Sequence, residues 1–168
     1  NTSRDLLMWF GTGTTFNGQS LGRVFGAGWQ AVSQLDINGD GKSDLIWRND
    51  STGQIETWIM NGSLLVQATG FNLPAGHKIY SFGDFNGDSL ADILLTSSSR
   101  ELLMWLGTGS TFNGQSLNRI YGAGWVADLD VSSSAPKKVR YDINADSLSD
   151  LLWRGAGQVE NWLMNGAT

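Results

Sequence analysis

Three short acidic segments carry the clearest chemistry in this 168-residue sequence. Each places short carboxylates and amides at alternate positions of a nine-residue stretch, as in the first segment, DINGDGKSD at 36–44. Oxygen ligands at positions 1, 3, 5 and 9, with a backbone carbonyl at position 7, are how a tight loop wraps a calcium ion, which takes about 6–8 oxygens. The other two segments read DFNGDSLAD at 84–92 and DINADSLSD at 142–150. The pattern therefore predicts three calcium-binding loops.

Two other interpretations of these loops are weaker. An EF-hand needs a bidentate glutamate at position 12, where this sequence has Trp47, Leu95 and Trp153. Asp, Asn and Gly also favour ordinary surface turns, but chance does not align five features three times. Position 6 is glycine in the first loop and serine in the others (Ser89 and Ser147), so the second and third sites are expected to bind more weakly.

The charge balance agrees with metal loops and disfavours several other functions. Nine of the 16 acidic residues lie in the three loops, so three divalent ions would change the formal charge from −5 to +1. Without the ions the carboxylates would repel one another, so we expect calcium-dependent stability. The negative charge disfavours nucleic-acid binding, and no apolar run is long enough to span a membrane. A single histidine and no cysteine disfavour acid–base and nucleophilic catalysis, so no enzyme is expected.

The sequence repeats itself, which determines the fold that must position the loops. Residues 5–29 return as 101–125, and residues 44–62 return as 150–166, so that all eight tryptophans pair off. A shorter period lies inside the long one, because four mid-strand tryptophans recur at separations of 49, 47 and 57 residues: Trp9, Trp58, Trp105 and Trp162. We expect these four to be core residues.

Each repeat contains short apolar segments separated by Gly, Asn and Ser turns. Four such segments lie in one unit, which predicts four β-strands: Trp29–Asp36, Asp44–Asn49, Gln54–Met60 and Ser63–Thr69. Four strands in a repeat of this length match a β-propeller blade, whereas a solenoid of strands usually has shorter repeats. The predicted fold class is all-β, with propeller blades of four antiparallel strands.

The blades can be delimited along the chain. The expected divisions are a partial blade at 5–28, full blades at 29–76 and 77–124, and a partial blade at 125–168 with an inserted loop at 126–139. This gives 13 strands, or about three blades, which is fewer than a closed ring typically needs. Either the chain is a fragment of a longer propeller or a second copy completes the ring; we expect a homodimer with composite blades.

The loop sequence resembles the FG-GAP (or VCBS) repeat, the integrin-like calcium-binding propeller blade, most closely at Phe82–Asp88 (FGDFNGD). The resemblance implies that each loop joins the first two strands of a blade, that calcium is structural, and that the protein is secreted or at the cell surface. It also implies the ligands, with position 7 acting through its carbonyl: Asp36, Asn38, Asp40, Lys42 and Asp44; Asp84, Asn86, Asp88, Leu90 and Asp92; Asp142, Asn144, Asp146, Leu148 and Asp150.

A second candidate site lies where the strands of each blade begin. Aligning the blades places Trp29, His77 and Trp125 at the same point. Planar rings flanked by donors such as Arg48, Asn49 and Arg154 could stack on sugar faces and bind hydroxyls, which predicts a lectin-like module. The alternatives are that these rings pack between blades, and that the module binds proteins or is structural.

Overall fold

The computed structural model describes residues 4–127, 151–155 and 158–165, and every regular element in them is a β-strand. The strands are β1 Asp5–Gly11, β2 Phe16–Val24, β3 Trp29–Leu35, β4 Asp44–Asn49, β5 Gln54–Asn61, β6 Leu64–Asn72, β7 His77–Gly83, β8 Asp92–Ser97, β9 Glu101–Gly107, β10 Phe112–Ile120, β11 Val126–Ala127, β12 Leu151–Gly155 and β13 Gln158–Trp162. No helix in the described part of the chain is long and apolar enough to cross a membrane.

The strands form four antiparallel sheets, each made of neighbours in sequence. Sheet I is β1–β2, sheet II is β3–β4–β5–β6, sheet III is β7–β8–β9–β10 and sheet IV is β11–β12–β13. Sheets II and III also share a register shift at the same place in their first strands, between Ala31 and Ser33 and between Ile79 and Ser81. The predicted all-β fold with four-stranded antiparallel sheets is confirmed; completion of a ring by a second chain stays a prediction.

One expected boundary changes in sheet IV. Val126 pairs with Arg154 and Ala127 pairs with Trp153, so the first two residues of the expected inserted loop 126–139 form strand β11. The pair of Val126 with Arg154 is the counterpart of the pair of Gln30 with Arg48 in sheet II. The remainder of that loop lies outside the described residues.

The chain divides into two compact units. Of the described residues, the first unit contains 4–36 and 40–73, and the second contains 37–39, 74–127, 151–155 and 158–165. To describe their packing, we call face A the side of each sheet that carries its repeated tryptophan (Trp9, Trp58, Trp105 or Trp162), and face B the opposite side.

In the first unit, face B of sheet I packs on face A of sheet II. Leu6 and Met8 of β1 contact a buried cluster that includes Trp47 and Trp58. Phe25, which follows β2, stacks on Trp47 with the ring centroids 5.3 Å apart. Because alternate residues of a strand point to opposite faces, Leu7 and Trp9 point away from this core.

The second unit repeats this packing. Leu102 and Met104 of β9 lie in one buried cluster with Leu151 and Trp153 of β12. Tyr121 occupies the place of Phe25 and stacks on Trp153 at 4.7 Å. In both units, therefore, face B of one sheet packs on face A of the next.

The expectation that all four repeated tryptophans are core residues is correct for Trp58 and wrong for Trp9. Trp58 is 7 % exposed, whereas Trp9 is 63 % exposed. Trp105 and Trp162 are partly buried. The sequence pattern assigns all four to equivalent strand positions, but whether a face is covered depends on a neighbouring sheet.

Gly107 gives a test of the close packing in sheet III. A Cβ at this position would lie 2.5 Å from the carbonyl oxygen of Ala91, whereas at the equivalent Gly11 the nearest atom, in Phe16, is 3.9 Å away. Neither glycine has a positive φ, so the two differ in space and not in backbone conformation. We expect Gly107→Ala to lower the free energy of unfolding by roughly 1–3 kcal/mol and Gly11→Ala to leave it nearly unchanged, as measured by urea denaturation. Equal losses in the two variants would contradict the described packing.

Candidate metal-binding loops

The first two acidic loops occupy equivalent places in sheets II and III. The Asp36–Asp44 loop, called loop 1, joins β3 to β4, and the Asp84–Asp92 loop, called loop 2, joins β7 to β8. The position expected from the family resemblance, between the first two strands of a blade, is the one observed. The third loop lies outside the described residues, and the ligands predicted there stay predictions: Asp142, Asn144, Asp146, Leu148 and Asp150.

The two loops share their backbone conformation. Position 4 has a positive φ in both, +77° at Gly39 and +77° at Gly87. Position 6 also has a positive φ in both, +81° at Gly41 and +68° at Ser89. The second sequence therefore reaches the same turn with a serine where the first has glycine, the residue that adopts this conformation without strain.

Loop 1 is closed by its own aspartates. The Asp36 carboxylate accepts hydrogen bonds from the amides of Asp40 at 3.1 Å and Gly41 at 2.8 Å. The Asp40 carboxylate accepts one from the amide of Lys42 at 2.9 Å and also receives the Lys42 ammonium at 3.2 Å. The carboxylates at positions 1 and 5 are thus turned back into the loop.

Loop 2 closes in the same way. The Asp84 carboxylate accepts hydrogen bonds from the amides of Gly87 at 2.7 Å and Ser89 at 3.0 Å. The side chains of positions 3 and 5 touch, because Asn86 Nδ2 donates to Asp88 at 2.9 Å. Position 7, Leu90, brings no cation to this loop, in contrast to Lys42 of loop 1.

Position 9 has a role that the sequence did not reveal. Asp44 and Asp92 are fully buried at the starts of β4 and β8. Asp44 accepts a hydrogen bond from the amide of Met60 at 2.8 Å, and Asp92 accepts one from the amide of Gly107 at 2.8 Å. Met60 and Gly107 are equivalent residues, two places after the repeated tryptophan. Each position-9 aspartate therefore ties its loop to the third strand of the sheet.

The contact with the third strand links residues 15 or 16 places apart, so no local pattern points to it. A usable signal was present nonetheless. An aspartate directly before an apolar, buried strand must find hydrogen-bond donors inside the protein, since a buried carboxylate without them is costly.

Electrostatics disfavour the charged form of loop 2. Burial, with smaller contributions from the neighbouring carboxylates of Asp88 and Asp84, raises the pKa of Asp92 to about 6, against the opposing hydrogen bonds from Gly107 and Phe85. Burial also raises the pKa of Asp84, to which the charge of Asp88 adds. A cation bound among these carboxylates would offset both penalties.

The donor set fits calcium in its chemistry. Both loops offer carboxylates, an asparagine amide oxygen and a backbone carbonyl, and a hard cation such as calcium prefers oxygen ligands alone. Within the described residues, no group of three or more His, Cys, Asp or Glu side chains is arranged to hold a metal ion. A bound cation would therefore need the carboxylate, amide and carbonyl oxygens together. The hydrogen bonds within the loops do not prevent this, because a carboxylate oxygen that accepts one hydrogen bond keeps a second lone pair for a cation.

Exchanging the residues at position 6 tests the shared loop conformation. We expect Gly41→Ser to lower the free energy of unfolding by about 1 kcal/mol, because a Cβ is disfavoured at this positive φ although no atom lies within 4 Å of it. Ser89→Gly should raise it by a few tenths to about 1 kcal/mol. Urea denaturation in the presence of a chelator measures both. Changes of the same sign in the two variants would contradict a common loop geometry.

The three predicted stacking residues lie where strands begin, and all are partly buried. Trp29 begins β3 and Trp125 precedes β11, and their rings lie against glycines: a Cβ on Gly26 would be 3.0 Å from the Trp29 ring, and one on Gly155 would be 2.8 Å from the Trp125 ring. His77 begins β7, with its Nδ1 3.2 Å from the carbonyl oxygen of Ala75. Both tryptophans thus pack within their own units and keep part of their surface exposed.

The three predicted polar partners differ in their surroundings. Arg48 pairs with the carboxylate of Asp50. Asn49 is 6 % exposed, and its Oδ1 accepts hydrogen bonds from the amide of Ser51 at 3.0 Å and from its hydroxyl at 2.6 Å, so it stabilises the β4–β5 turn. Arg154 is exposed on β12.

The six predicted residues are divided between the two units. Asn49 lies opposite Trp29 across the β3–β4 pair of the first unit, and Arg48 follows at the next register position. In the second unit, Gly155 lies under the Trp125 ring, next to Arg154. A turn role for Asn49 is indicated by the cluster of turn residues that begins with it, NDSTG at 49–53.

Sheets II and III are four-stranded and antiparallel, and each has an acidic loop between its first two strands, as the blades of β-propellers of this kind would have. Comparison with protein-family models matches residues 36–95, from the start of loop 1 to β8, to the FG-GAP-like repeat. The chain thus contains an FG-GAP-like repeat, which indicates a β-propeller-type adhesion or structural module. Such repeats are typical of extracellular proteins. The comparison with curated proteins gives no match.

Proposed function

We propose that this chain is a non-catalytic module of a secreted or cell-surface protein, and that calcium bound in its acidic loops stabilises its sheets. The observation that carries the proposal is the common geometry of loops 1 and 2. Both use the carboxylate at position 1 to bind the amide at position 6, and both place a positive φ at positions 4 and 6. Binding of a cation by oxygens from the same positions in both loops would explain why two different sequences adopt one turn that brings like charges together.

Calorimetric titration of calcium into chelator-treated protein tests this proposal directly. We expect saturable calcium binding, with one site fewer in Asp84→Asn, because that change removes a carboxylate but keeps a similar shape. Asp50→Asn is the matched control, since Asp50 is an exposed acid outside the loops and pairs with Arg48. Absence of calcium binding by the unaltered protein, or equal stoichiometry in all three proteins, would refute the proposal.

We further propose that the module binds carbohydrate through the residues at the strand starts. Trp29 and Trp125 are held in place by their contacts with glycines and unit cores, and both remain partly exposed. A fixed ring loses little freedom when a sugar stacks on it, and Arg48 and Arg154 lie on the neighbouring strands as donors. Binding to a protein partner is the second candidate, supported by the adhesion character of the FG-GAP-like repeat.

A glycan array with and without calcium distinguishes the two ligands. We expect calcium-dependent binding to defined sugars, reduced at least about tenfold by Trp29→Ala or Trp125→Ala. Val66→Ala is the control, because it removes an exposed apolar side chain outside the predicted set. Circular dichroism checks that each variant is folded. A blank array together with capture of a purified adhesion partner would favour the second candidate, and unaltered sugar binding by both variants would reject the placement of the site.

A further inference from the structure

The first and last sheets each leave an apolar face exposed. On face A of sheet I, Leu7 is 59 % exposed, Trp9 is 63 % exposed and Phe16 is 69 % exposed. On face B of sheet IV, the exposed fractions are 63 % for Val159 and 55 % for Leu163. Several large apolar side chains exposed on one sheet face mark a binding surface more often than a free one.

Equivalent residues in the middle of the chain are covered. Leu103, Trp105 and Phe112 repeat the residues of face A of sheet I, and all three are partly buried. Ile55 and Ile59 repeat the residues of face B of sheet IV, and they are 0 % and 6 % exposed. Nearly the same residues are covered in one repeat and exposed in the other. The exposed faces therefore have the composition of faces that pack against another sheet.

The packing inside the two units shows what fits on each face. Face B of sheet I covers face A of sheet II through Leu6 and Met8, and face B of sheet III covers face A of sheet IV through Leu102 and Met104. One of the two exposed faces is a face A, on sheet I, and the other is a face B, on sheet IV. The molecule therefore carries both halves of a contact that it already makes twice.

We propose that a second copy of this chain docks head to tail, with face B of its sheet IV on face A of sheet I. Trp9 is positioned for this contact. One side of its ring lies over Gly18 of β2, where an added Cβ would be 3.3 Å from the ring, and the side chain nevertheless remains 63 % exposed. Phe16 and Leu7 flank it on the same face. The contact joins faces and not strand edges, so it gives a more specific geometry to the dimer expected from the strand count. It does not depend on calcium in the loops or on sugar binding.

Light scattering coupled to size-exclusion chromatography over about 1–100 µM protein tests the proposal. We expect the unaltered protein to form dimers, and we expect Trp9→Arg and Leu163→Arg each to raise the dimer dissociation constant at least about 30-fold. A closed head-to-tail dimer has two contacts, each between face A of one copy and face B of the other. In a mixed dimer of the two variants, both substitutions fall in the same contact and the other contact is unaltered. The mixture should therefore dimerise more strongly than either variant alone. Val66→Arg is the control, since Val66 is 60 % exposed on β6, outside both faces.

Three results would overturn the proposal. The unaltered protein could remain monomeric throughout the concentration range, which would mean that another molecule covers these faces. Leu163→Arg could dimerise normally while Trp9→Arg does not, which would indicate a symmetric contact of face A with face A. The mixture could stay as monomeric as the separate variants. Circular dichroism identifies misfolded variants, and Leu7→Arg and Val159→Arg are substitutes on the same two faces.

Discussion

Asp92→Ala should lower the free energy of unfolding by about 3–5 kcal/mol, a large part of the total of about 5–15 kcal/mol typical of a domain. Asp92 is fully buried, and its two oxygens accept hydrogen bonds from the amides of Phe85 at 2.7 Å and Gly107 at 2.8 Å. Truncation leaves both amides buried without an acceptor, at about 1–3 kcal/mol each. Urea denaturation followed by tryptophan fluorescence, in the presence of a chelator, measures the loss independently of calcium.

Asp88→Ala is the matched control for this experiment. Asp88 belongs to the same loop and carries the same charge, but it is exposed and its carboxylate accepts a single backbone amide, from Leu90 at 2.8 Å. We expect Asp88→Ala to cost less than about 1 kcal/mol in chelator. Asp92→Asn keeps one acceptor oxygen, so its loss of unfolding free energy should lie between those of Asp88→Ala and Asp92→Ala. Equal losses in Asp88→Ala and Asp92→Ala would show that the contact with the third strand is unimportant.

Strand positions were predictable from the sequence because turn chemistry is local. The predicted strand Asp44–Asn49 coincides with β4, and the predicted strand that begins at Trp29 ends one residue early, at Leu35. The last strand of the blade was predicted as Ser63–Thr69, but β6 is Leu64–Asn72. Its additional residues pair with the start of β5, and that distant partner, not their own sequence, makes them a strand.

The candidate loops were predictable for the same reason, and their attachment to the sheet was not. The spacing of aspartates and glycines over nine positions determines the turn and the oxygens in it. Whether Asp44 and Asp92 serve the loop or the sheet depends on Met60 and Gly107, which only the folded sheet brings near. The exposure of Trp9 has a similar origin, since no residue near Trp9 in sequence decides whether its face is covered.

Removing calcium should lower the melting temperature by about 10–20 °C. A ligand at 100 times its dissociation constant stabilises the folded state by about 2.7 kcal/mol per site, so two loops contribute about 5 kcal/mol. For a domain of this size, 1 kcal/mol corresponds to about 2–4 °C. Burial and the charges of neighbouring aspartates raise the pKa of Asp84 and of Asp92, and a divalent cation among these carboxylates would offset both effects. Thermal melts in excess calcium and in chelator measure the difference.

The double variant Asp36→Asn and Asp84→Asn separates binding in loops 1 and 2 from a general effect of divalent ions. Both changes are at position 1, where the side chain stays within its loop, and so they avoid the loss expected at position 9. We expect most of the calcium-dependent shift to disappear, whereas Asp50→Asn should keep it. Magnesium should stabilise much less, because it tolerates a flexible cage of protein oxygens poorly. A shift of the same size in the double variant, or with magnesium, would mean that calcium acts elsewhere than in these two loops.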